Sequence, residues 1–135
     1  MKEQFISYAS ALELKNLGFD EECLAVTDNE GVFEIVTPTK DRNFVCSNTW
    51  YSENGNTCVA IPLYQQAFQF FRENYQKCAF IYPLELRNSS IVWDWDIVIP
   101  RNEVEQEYNI PYSSTYEEAC LSCLDKLIEI VKNEK

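Results

Sequence analysis

The stretch CAFIYPLELRNSSIVWDWDIVIP, residues 78–100, limits the fold more than any other part of the chain. Two apolar runs, CAFIYPLEL and SIVWDWDIVIP, flank RNSS, and this arrangement reads as a long β-hairpin. Side chains alternate across a strand, so Ile91, Trp93, Trp95, Ile97 and Ile99 share one face, while Val92, Asp94, Asp96 and Val98 share the other. The expected arrangement sends the indoles into the core and shows the carboxylates to water, as in an ordinary half-buried strand.

The other segments supply what covers such a hairpin. Ser7 and Ser10 open a helix over residues 8–17, with Glu13 placed to complete a capping box on Ser10 and Gly18 as the stop. CLAVTDNEGVFEIV places strands at 22–28 and 31–37 around a DNEG reversal. A weak strand at Phe44–Ser47 and a stronger one at 57–61 follow, with Asn54-Gly55 as a turn and loops at 39–43 and 51–56. Pro62 opens a second helix whose Leu63, Tyr64, Ala67, Phe68, Phe71 and Tyr75 fall on one face, and Phe70 widens that stripe. Ser114 or Thr115, with Glu117 or Glu118, caps a last helix carrying Tyr116, Ala119, Cys120, Cys123, Leu124, Leu127 and Val131 as its apolar stripe. The order α-β-β-β-β-α-β-β-α predicts one α+β domain over residues 1–135, with three helices covering one face of a mostly antiparallel sheet of five to six strands.

Charge and composition narrow the function. Eleven Lys plus Arg stand against 22 Asp plus Glu, a formal charge of −11. That balance opposes the attraction that supplies non-specific nucleic-acid affinity, and equally adhesion to anionic lipid. A protein partner with a basic surface, or a site that normally receives nucleic acid, fits that charge better. No run of the sequence has signal-peptide or membrane-spanning character, which implies a soluble intracellular chain with reduced thiols despite six cysteines.

The absence of histidine excludes Ser-His-Asp and Cys-His triads and imidazole-containing metal sites. The three glycines are too scattered to form a phosphate-binding loop. A carboxylate metal site could still form from Asp94 and Asp96 with Glu85 of the partner strand. CLSC, Cys120 to Cys123, has the spacing of a redox pair or half a zinc site, with Cys46 and Cys58 as nominal further donors, yet both thiols fall on an apolar stripe. Glu103, Glu105 and Glu107 in RNEVEQEYNIPY could extend the acidity of Asp94 and Asp96 into a ridge. Neither a cofactor nor a metal is expected on this reading.

Three stretches together carry a resemblance: MKEQFISYASALELKNLGFDEECLAV, VAIPLYQQAFQFFREN and YSSTYEEACLSCLDKLIEIV. They resemble a family of small proteins encoded by phages and prophages of Bacteroidetes, including crAss-like phages of the gut. In that family an LGFDE-C element, an AP-YQQAF-WFREK element and a YEEA terminal helix recur in this order. The match covers roughly half of the chain and is most specific in its middle element. Phe70 stands where the family often has Trp, and Asn74 where it often has Lys. The family has no established activity, so the resemblance implies no catalytic or binding residue. It implies a phage-related accessory protein acting in the bacterial cytoplasm, and it does not imply an enzyme. Three readings follow: a non-enzymatic interaction module using Asp94, Asp96, Glu103, Glu105, Glu107 and Phe70; a divalent-metal enzyme using Asp94, Asp96 and Glu85; and a subunit of an assembly with Phe70 and Trp50 as exposed contacts.

Overall fold

The computed structural model describes residues 2–28, 30–36, 47–53, 55, 57–100 and 111–134. The expected loop at 39–43, most of the weak strand at 44–47, and Cys46, Glu103, Glu105 and Glu107 lie outside the described residues. The described chain is α+β, with four α-helices and two small antiparallel sheets of three and two strands. It divides into two compact units, Met1–Ala67 and Phe68–Lys135.

In the first unit, α1 spans Tyr8–Asn16. Its cap is Ser7, whose Oγ accepts from the Ser10 amide at 3.1 Å, so Ser10 lies buried inside the helix and is not its cap. At the other end Gly18 adopts φ +95°, the Phe19 amide donates to the Leu14 carbonyl and the Gly18 amide to that of Lys15. This is the six-to-one and five-to-two pairing of a Schellman stop, with Leu14 and Phe19 both buried.

The sheet of this unit places β1 (Ala25–Thr27) between β2 (Phe33–Ile35) and β3 (Val59–Ile61). Every residue of β1 and β3 is buried, so these short strands are core on both faces. Asp28 organises the expected reversal: its Oδ1 accepts from the Glu30 and Val32 amides, and Gly31 takes φ +83°.

Where the sequence predicts a loop at 51–56, a short helix, α2, spans Asn48–Glu53. It forms because an adjacent serine and a carboxylate distant in sequence together satisfy its start. Ser47 Oγ accepts from the Trp50 amide, and the Asp20 carboxylate accepts from the Thr49 amide and hydroxyl. The buried Asn48 donates to the Phe19 carbonyl at 2.9 Å and accepts from the Ala60 amide at 3.0 Å, tying the α1 stop to β3.

Helix α3 spans Tyr64–Tyr75. Within the second unit, Phe70 meets both Phe71 and Tyr75 edge-on, and Gln76 at φ +53° turns the chain into β4. Strand β4 (Cys78–Glu85) pairs with β5 (Ile91–Val98) in an unbroken register from Cys78↔Val98 to Glu85↔Ile91. The hairpin expected at 78–100 is therefore present.

The last helix, α4, covers Tyr116–Asn133 and is capped by Thr115, which accepts from the Glu118 amide, while the Glu118 carboxylate accepts from the Ser114 amide. Ala119, Cys120, Cys123, Leu124, Leu127, Ile128 and Val131 form its buried stripe. At its far end Glu134 holds the buried ammonium of Lys77 at 2.9 Å.

Candidate functional site

Register decides what each face of the β4–β5 ladder presents. Residues directly opposite in an antiparallel pair project from the same face. Trp93 and Trp95 therefore share a face with Pro83 and Ile81, while Asp94 and Asp96 share the other with Tyr82 and Phe80. On the first face the Trp95 indole is 4% exposed and donates to Ser122 of α4 at 3.0 Å. Trp93 meets Tyr116 edge-on with centroids 5.2 Å apart. Helix α4 is thus the cover that the alternation requires. Because Tyr116 is its first residue, Ile91 at the turn end passes beyond it and is 61% exposed, contrary to the expected inward placement.

On the second face Asp94 is half-buried. One carboxylate oxygen accepts from the Tyr82 hydroxyl at 3.2 Å and the other from the Trp95 amide at 2.8 Å. Asp96 is exposed, opposite Phe80, which is 54% exposed. Among the described residues no ammonium or guanidinium forms an ion pair with either aspartate. Burial, and then the charges of Asp94 and Asp96, push the Tyr82 phenol up to about 12. The phenol is consequently a neutral donor at ordinary pH, and the aspartates are the acidic groups of the face.

Phe80 and Tyr82 complete this face from β4, and the alternation of β5 alone does not point to them. The signal lies in the period-two alternation of CAFIYPLEL, which places Phe80, Tyr82 and Leu84 on one side once the register is known.

The same register separates the proposed metal ligands. Glu85 pairs with Ile91 and projects on the indole face, opposite to Asp94 and Asp96. No group of three potential ligands gathers among the described residues. Cys120 and Cys123 are fully buried, and burial raises both thiols, the reverse of the depressed thiol that a reactive redox cysteine needs. Phe70, expected as an exposed contact, is 5% exposed because Phe71 and Tyr75 pack around its ring. Trp50, by contrast, is exposed and lies edge-on to Tyr51 in the first unit. No helix of the described residues is long and apolar enough to cross a membrane.

No protein family, curated protein or solved structure matches this chain.

Proposed function

We propose that the protein is a phage-related accessory protein that acts without catalysis, by binding a host or phage protein through the outward face of the β4–β5 hairpin. The observation that carries this reading is the placement of Asp94 and Asp96 on an open face beside the exposed ring of Phe80. One exposed and one half-buried carboxylate beside an exposed aromatic suit a partner that brings both an apolar contact and positive charge. The formal charge of −11 favours encounter with basic partners and disfavours nucleic acid and anionic membrane. The three stretches that resemble proteins of Bacteroidetes phages and prophages support the host cytoplasm as the place of action. The metal-enzyme reading has no comparable support, since its third carboxylate projects from the other face.

The test is capture from a Bacteroidetes lysate by the wild-type protein and by the Asp94→Lys, Asp96→Lys double variant, with bound proteins identified by mass spectrometry. A partner held by the wild type and released by the variant is the expected result. Identical sets of bound proteins would overturn the reading.

A further inference from the structure

The outward face of β4–β5 also restricts the shape of what it can bind. Resting on the reading above, the geometry points to an amphipathic helix with basic residues on its flank as the segment received there.

Both edges of the hairpin resist addition of a strand. On the β5 side, Trp93 exchanges two backbone hydrogen bonds with Ser113, and the Trp95 amide is occupied by the Asp94 carboxylate. Since Trp93 directs its backbone groups away from β4, its pair with Pro83 is a non-hydrogen-bonded one, and Pro83 therefore faces the outer edge of β4. A proline there removes a donor that an added strand would need. The face is left as the docking surface.

Its dimensions suit one helix. Eight residues per strand span about 26 Å. A helix of about 17 residues has that length, and its width of about 10–12 Å covers two strands. Phe80 and Val98, 54% and 47% exposed, offer the apolar contact.

Asp94 and Asp96, two residues apart, are separated by about 6.6 Å along the strand, close to the rise of about 6 Å between residues four apart on a helix. Lys or Arg at that spacing can meet both carboxylates while Leu or Phe between them meets Phe80. A second copy of this chain fits poorly, because it would set the same two carboxylates against themselves.

The experiment selects binders to the full chain from a displayed library of random peptides of about 18 residues. The best peptide is then titrated by calorimetry against the wild type, Asp96→Asn, Phe80→Ser and, as a control on the other face, Glu85→Gln. The expected peptides carry paired basic residues four apart, gain helical circular dichroism when bound, and lose about ten-fold or more in affinity for Asp96→Asn and Phe80→Ser but not for Glu85→Gln. Asp96 and Phe80 are exposed, and thermal melts check that the variants fold. Failure to enrich any peptide, enrichment of extended or non-basic peptides, or equal affinity for wild type and both face variants would overturn the inference. If the lysate partner is still lost on charge reversal, the surface reading stands and only the helical ligand falls.

Discussion

Asn48 shows how much a single buried amide can hold together. It satisfies the Phe19 carbonyl and the Ala60 amide at once, and both would be left buried without it. Asn48→Ala should therefore cost about 2–4 kcal/mol in urea unfolding, from two orphaned backbone groups. Asn48→Asp should not rescue it, because a carboxylate can accept from Ala60 but repels the Phe19 carbonyl. Tyr82 offers a second measurement at this scale. A phenol whose folded-state pKa is raised stabilises the fold while it stays protonated. That contribution is complete below the ordinary value of about 10 and is lost as pH climbs through about 12. Ultraviolet titration should show Tyr82 among the late-ionising tyrosines, with Tyr116 also raised by burial, and Asp94→Asn should bring Tyr82 down by removing a neighbouring charge and hydrogen-bond acceptor. An unchanged titration curve in Asp94→Asn would show that the pair does not form.

Among the elements, those with strong local signals were legible in the sequence and those made by distant contacts were not. Thr115, Glu118 and an apolar stripe announce α4, six of its seven expected residues being buried while Tyr116 is exposed and Ile128 takes its place, and alternation announces β5. Helix α2 has a weaker local signal, since Ser47 caps only the Trp50 amide and the Thr49 amide is satisfied by Asp20, a residue 29 positions away. Periodicity found the two-faced character of the hairpin, but only register could reveal that Glu85 and the aspartates look in opposite directions. Phe70 misled because a widened stripe looks the same whether its extra ring is exposed or packed. The α1 stop gives a prediction at this scale. Gly18 holds φ +95°, and an added Cβ would meet nothing within 4 Å, so Gly18→Ala tests the backbone alone. It should lower stability by about 1–2 kcal/mol. A loss close to zero in thermal melts would mean that the Schellman stop contributes little.

For the molecule as a whole, the formal charge of −11 acts on stability as well as on partners. Like charges repel more strongly in the compact state, and salt screens them over about 10 Å at 0.1 M. The Tm should therefore rise by a few degrees when sodium chloride is raised from about 0.01 to about 0.15 M. A Tm that falls over this range would indicate that specific ion pairs outweigh the general repulsion.

The three tryptophans are distributed so that the protein carries its own optical reporters. Trp50 belongs to the first compact unit, and Trp93 and Trp95 to the second. Replacing Trp50 with Phe confines indole emission to the hairpin and its covering helix, and replacing the other two confines it to the neighbourhood of Tyr51. Loss of the blue-shifted light from the shielded Trp95 ring then marks the moment at which α4 parts from β5, without any label being attached.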